Sequence, residues 1–71
     1  MIFRTIGRFI KRIEQVNAGM TKDQVREVLG KPDDIKGTMI DGAPVQIWIY
    51  RVSGRAFAVA FMDGQVAQVE Y

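Results

Sequence analysis

The residue types that usually perform chemistry are scarce in this chain. It contains no histidine and no cysteine, which removes the commonest general base and the strongest side-chain nucleophile. Ser53 is the only serine. It sits in a Ser-Gly pair, which reads more simply as a hairpin turn than as a nucleophile. Asp33 and Asp34 are adjacent carboxylates, but they follow Pro32 at the exit of a helical pattern, where solvated turn acids are expected. The glycines form neither a GxGxxG run nor a phosphate-binding loop. The expectation is therefore no catalytic residue, no metal ligand set, no cofactor and no enzyme activity.

One cluster does carry a chemical signal. Arg4, Arg8, Lys11 and Arg12 place four cations in the first twelve residues with no acid among them. The rest of the chain holds six basic and eight acidic residues, so the formal net charge of +2 belongs to the N-terminal segment. Arg4, Arg8 and Arg12 are spaced i, i+4 along a helix, and such like-charge pairs cost a few tenths of a kcal/mol each. A solvated helix face is one reading of this stripe. The other is a site for an anionic membrane surface or an acidic protein. Nucleic acid is not expected, because the body of the chain is slightly acidic.

The elements that position these residues follow from periodicity. Placed at about 100° per residue, Ile2, Phe3, Ile6, Phe9, Ile10, Ile13 and Val16 share an arc of roughly 140°, which predicts an amphipathic helix over residues 2–16. Asn17, Ala18 and Gly19 break it. A second helix then opens on Thr21 as N-cap, with Gln24 completing a capping box and Met20 and Val25 placed as a hydrophobic staple. Val25, Val28 and Leu29 are its apolar stripe. Gly30 suits the left-handed C′ position just past the helix, and Pro32 prevents continuation.

The remainder reads as strands. Asp41-Gly42, Ser53-Gly54 and Asp63-Gly64 are candidate two-residue hairpin turns. They bound residues 35–40, 45–52, 55–62 and 65–71. The first run contains Gly37 and reads as a weak strand or a loop, so the sheet has three strands or four. The fold class is α+β, as one domain over residues 1–71: two N-terminal helices packed on one face of an antiparallel meander. Hydrophobic content of 48% supports a packed core. No cysteine is present to staple it, and a chain this short buries only about 60% of its unfolded surface.

Two-residue turns also fix which side chains share a face. One face carries Val45, Ile47, Ile49, Ala56, Ala58, Ala60, Met62, Ala67, Val69 and Tyr71. The other carries Trp48, Tyr50, Val52, Phe57, Val59, Phe61 and Val66, then Gln68 and Glu70. The alanine row leaves room for helices to lie close, so both helices are expected there. That leaves Trp48, Tyr50, Phe57 and Phe61 as a partner-binding surface, for a twin subunit or another protein. In the alternative arrangement the first helix crosses the aromatic face and makes it ordinary core.

Three segments resemble a known family. Gly19-Met20-Thr21-Lys22-Asp23-Gln24-Val25-Arg26-Glu27-Val28-Leu29-Gly30-Lys31-Pro32-Asp33 resembles the G-M-T-x-x-x-V helix ending in L-G-x-P of the SmpA/OmlA (BamE-like) outer-membrane assembly lipoproteins. Trp48-Ile49-Tyr50 is similar to that family's W-x-Y strand, and Phe61-Met62-Asp63-Gly64-Gln65-Val66 to its F-x-D-G-x-V hairpin. The three come in the family's order within residues 19–70. The resemblance implies a two-helix, three-stranded unit without enzyme activity that binds partner proteins, notably in outer-membrane barrel assembly. A small enzyme inhibitor is a further function implied by fold analogy alone.

The residues depart from the family pattern in having no lipidation cysteine. No window approaches the ~18 apolar residues of a membrane span. Residues 1–13 are too short and too charged for a signal peptide. Read as it stands, the sequence is expected to be cytoplasmic, and periplasmic or at the outer membrane where a leader has been removed.

Overall fold

The computed structural model describes residues 5–71. Two helices precede four strands: α1 (Ile6–Ile13), α2 (Lys22–Leu29), β1 (Asp34–Ile40), β2 (Ala43–Val52), β3 (Arg55–Met62) and β4 (Gln65–Glu70). The strands form one antiparallel sheet in the order β1-β2-β3-β4. The weak first run is thus a full strand, and the sheet has four.

All three predicted turns form. Asp41, Ser53 and Asp63 have φ of 50°, 51° and 52°, and the glycines that follow them have φ of 80°, 78° and 77°. Positive φ at both central residues is the type I′ geometry whose twist matches the flanking strands. The β2–β3 register is the one these turns dictate, with Trp48 opposite Val59 and Tyr50 opposite Phe57.

The next hairpin departs from expectation. A bulge between Ala60 and Phe61 pairs Phe61 with Val66 but Ala60 with Gln68, leaving Ala67 as the extra residue. Every residue after Ala67 therefore changes face. Val69 joins the aromatic side and packs against the core, and Gln68 and Glu70 move to the alanine side.

Helix α2 is capped as its sequence predicts. The Gln24 N–H donates to Thr21 Oγ1 at 3.2 Å, and the Thr21 N–H donates to Gln24 Oε1 at 2.9 Å. Thr21→Ala should lower stability by about 1 kcal/mol, read as a shift in the denaturation midpoint. At the other end Gly30 has φ 83° and ψ −168°. That is positive φ as expected, but in a region essentially confined to glycine rather than the left-handed helical one. Gly30→Val should cost about 1–3 kcal/mol. An unchanged midpoint in both variants would contradict these end geometries.

Helix α1 is shorter than its apolar pattern. Residues 2–4 of the predicted helix lie outside the described residues. At the C-terminal end the Gln15 and Val16 N–H groups donate to the carbonyls three residues back, Arg12 and Ile13. This tightening turns the chain after Ile13. The Gly19 N–H then donates to the Val66 carbonyl at 2.9 Å, and the Val66 N–H to the Met20 carbonyl at 2.8 Å. Thr21 forms a bridge with Gln65. The inter-helix segment is thereby stitched to the free side of β4.

The core lies between the helices and the aromatic side of the sheet. Phe9, Ile13, Val16, Val25 and Leu29 pack with Trp48, Tyr50, Val52, Phe57, Val59, Phe61 and Val66 in one buried cluster.

Candidate functional site

The aromatic surface expected to meet a partner is inside the protein. Tyr50 is 0% exposed, Phe57 1%, and Trp48 and Phe61 2%. Phe9 of α1 lies over them, its ring 5.4 Å from Tyr50 and 4.9 Å from Phe57. Trp48 packs on Phe61 at 4.7 Å. The helices thus cover the face opposite to the one assigned from the sequence. Each aromatic ring offers about 150–250 Å² for burial, against far less for alanine. At about 25 cal/mol per Å², placing the helices over the rings wins decisively over placing them on the alanine row.

The polar atoms of this core are all accommodated. The Tyr50 hydroxyl donates to the Gly30 carbonyl at 2.9 Å, fastening the exit of α2 to β2. The Trp48 indole N–H donates to Gln46 Oε1 at 2.9 Å. Arg26 stands 5.7 Å from the Trp48 ring centre and Arg55 5.1 Å from that of Phe57, so cations close the fringe of the cluster. No buried side-chain nitrogen or oxygen among the described residues lacks a partner.

What the sheet leaves open is its other face. Cross-strand partners share a face, so Val45, Ile47 and Ile49 of β2 lie beside Ala56, Ala58, Ala60 and Met62 of β3. None of these belongs to the helix-covered cluster, but only Ala56 and Met62 are well exposed: Ile47, Ile49, Ala58 and Ala60 are half-buried and Val45 is buried at 4%. The strip is flanked on the β1 side by Asp34, Lys36 and Arg51 and on the β4 side by Gln68 and Glu70. Arg51 approaches Asp34 at 3.7 Å, and Gln68 donates to Glu70 at 2.7 Å. An apolar centre with a hydrogen-bonded polar rim is the anatomy of a protein-contact surface. The sequence had listed these β2 and β3 residues together but assigned them to the helices.

The cations of α1 divide differently. Arg8, Lys11 and Arg12 are exposed, as the periodicity required, while Arg4 lies outside the described residues. The apolar side of the same helix, Phe9 and Ile13, is in the core. An interfacial helix inserts its apolar face into lipid, and α1 has no such face free. Any attraction to an anionic surface would act through charge alone.

The paired carboxylates prove to be structural. Asp33 Oδ2 accepts from the Arg51 N–H at 2.7 Å, and Asp34 Oδ1 accepts from the Ile35 N–H at 2.9 Å. Among the described residues no cluster of acids could hold a metal. An open groove of about 600 Å³ runs from Lys22 past Gly37 and Met39 to Gln46 and Phe61, and it gathers no convergent catalytic groups. No helix among the described residues is long and apolar enough to cross a membrane.

The described residues thus form a helix-on-sheet unit whose helices cover the aromatic side of the sheet and leave the alanine side outside their core. The chain belongs to the BamE family, because the family model for the outer membrane protein assembly factor BamE domain matches residues 10–70. The match contains all three motifs on which the resemblance rested. No curated protein and no solved structure matches the chain.

Proposed function

We propose that this chain is a non-catalytic interaction module of outer-membrane protein assembly, and that it meets its protein partner through the helix-free sheet face. Family membership supports the process. The observation that carries the surface is the strip around Ile47, Ile49, Ala58 and Ala60, which lies outside the core that the described helices build. Association there would bury apolar atoms at no cost to the fold.

A photo-crosslinking residue at Ile47 or Met62 tests this in cells that assemble outer-membrane barrels. Adducts with an assembly component or a barrel protein are expected. Adducts that arise only from positions on α1 would overturn the surface.

A second reading rests on Arg8, Lys11 and Arg12, exposed on α1 with no ion pair among the described residues. On it, the module rests against an anionic membrane surface. Each cation near such a surface contributes about 1 kcal/mol, and the attraction is screened by salt. Replacing Arg8, Lys11 and Arg12 by Gln should then abolish sedimentation with anionic vesicles. If the unaltered protein stays in the supernatant at low salt, this reading fails.

A further inference from the structure

The two edges of the sheet are treated differently. The outer side of β4 is occupied by the inter-helix segment, through Gly19, Met20 and Thr21. β4 is also bulged, and bulges protect edges from strand addition. Among the described residues β1 has neither device, although Asp34 and Lys36 put charge along it. It pairs with β2 in unbroken register from Asp34 to Ile40 and has no proline. Three of the large apolar residues that the described chain leaves exposed lie on this strand: Ile35 at 48%, Met39 at 62% and Ile40 at 52%.

The outward backbone groups can be identified. The Ile49 carbonyl accepts from the Asp33 N–H at 2.9 Å, so Ile49 turns its backbone toward β1. The Ile35 N–H does not use β2 but donates to Asp34 Oδ1. Hydrogen-bonded and non-bonded positions alternate along an antiparallel strand. Ile35, Gly37 and Met39 therefore direct their N–H and C=O groups away from the sheet. Gly37 lies at the centre of this row. Its φ is not positive, and a Cβ there would meet nothing within 4 Å, so nothing within the protein requires glycine. Glycine inside a strand also marks places where another backbone approaches closely.

We propose that β1 is a self-association edge, pairing antiparallel with β1 of a second copy about a two-fold axis at Gly37. The occupant follows from the strand's own symmetry. With Gly37 opposite Gly37, Ile35 of one copy faces Met39 of the other, joining the exposed apolar side chains in both directions. On the other face Lys36 meets Thr38 and Asp34 meets Ile40, so no like charges are directly opposed. Gly37 and Met39 fall at positions that exchange paired N–H···O bonds, and the Ile35 N–H, which donates to Asp34 Oδ1 in the monomer, exchanges that bond for a partner carbonyl. The result is a continuous eight-stranded sheet with all helices on one side. Such an isologous contact is closed and does not propagate into fibres.

Edge pairing alone is a small interface, so the dimer should dissociate on dilution. Sedimentation equilibrium of the unaltered protein up to millimolar concentration should show a monomer–dimer equilibrium. Ile35→Lys combined with Met39→Lys opposes like charges in both directions. It should weaken the dimer by about tenfold or more, with an unchanged circular dichroism spectrum because both sites are exposed. The chain has no cysteine of its own. Gly37→Cys should therefore be captured as a covalent dimer by a short bis-maleimide cross-linker, since facing residues lie about 5.5 Å apart. Gln68→Cys, on the opposite edge, should not. A strictly monomeric protein at millimolar concentration, a dimer indifferent to the double lysine variant, or cross-linking as fast through Gln68→Cys would each overturn the proposal. Cross-linking of Gly37→Cys to a foreign protein in preference to its own copy would overturn the choice of occupant.

Discussion

Phe57→Ser should unfold this protein. The ring is 1% exposed and packs against Phe9 at 4.9 Å, at the point where α1 crosses the sheet. Removing a buried phenylalanine typically costs about 3–5 kcal/mol through lost transfer free energy and the cavity left behind. A buried hydroxyl without a partner adds roughly 1–3 kcal/mol. At about 0.05–0.15 kcal/mol per residue, the whole stability of so small a protein is of the same size. Circular dichroism at room temperature should show lost helix and sheet signal, and urea should produce no cooperative transition. Tyr50→Phe provides the contrast. It keeps the ring and removes only the hydroxyl that bonds Gly30, so about 1 kcal/mol is expected. A folded Phe57→Ser protein would mean that α1 does not lie where Phe9 places it.

Ala58→Arg should do the reverse, sparing the fold and abolishing partner capture. Ala58 lies on the helix-free face between Ile49 and Glu70 in cross-strand register. Ala58 is half-buried and no core residue among the described ones lies above it, so a long arginine can reach solvent and the cost to the fold should stay near about 1 kcal/mol. Placed in the apolar centre of an interface, an arginine would have to be desolvated against an uncharged surface. Disturbing a central contact typically costs roughly 2 kcal/mol or more, a loss of about thirtyfold in affinity. The readout is the yield of adduct from a photo-crosslinker at Met62, with the thermal midpoint measured in parallel. Full yield with an unchanged midpoint would remove the helix-free face from consideration.

The pair of variants separates two surfaces that the sequence could list but not orient. Binary patterning sorted β2 and β3 into their two faces correctly, because Ser53-Gly54 fixes the register and alternation does the rest. Which face the helices cover is a global choice. It depends on summed burial over both helices and the sheet, and no local pattern encodes it. The alanine row looked like helix-packing space, yet the rings of Trp48, Tyr50, Phe57 and Phe61 had more to gain from cover.

The bulge at Ala60 and Phe61 was hidden for a different reason. Asp63-Gly64 forms the turn expected of it, and the register slips only beyond Val66. No residue there announces the slip, and a bulge needs no glycine. By contrast α2 was legible residue by residue, since Thr21 and Gln24 cap each other through bonds only three residues long. Local chemistry is written locally. Strand β1 lies between these cases: Gly37 weakened its signal, but pairing with β2 along its whole length supplied what its composition lacked.

The stitch between the inter-helix segment and β4 bears on the order in which the chain folds. Each strand neighbours the next in sequence, so the sheet can grow hairpin by hairpin through loops of two residues. The bond from Val66 to Met20 instead joins the inter-helix segment to the last strand, across nearly all of the sheet's sequence. Closing so long a loop costs more chain entropy than closing a two-residue turn, and contacts of high sequence separation are the slow ones. Helix docking is therefore expected late, after a meander exists to receive it, and in that order the aromatic rings would stand uncovered until α1 and α2 arrive.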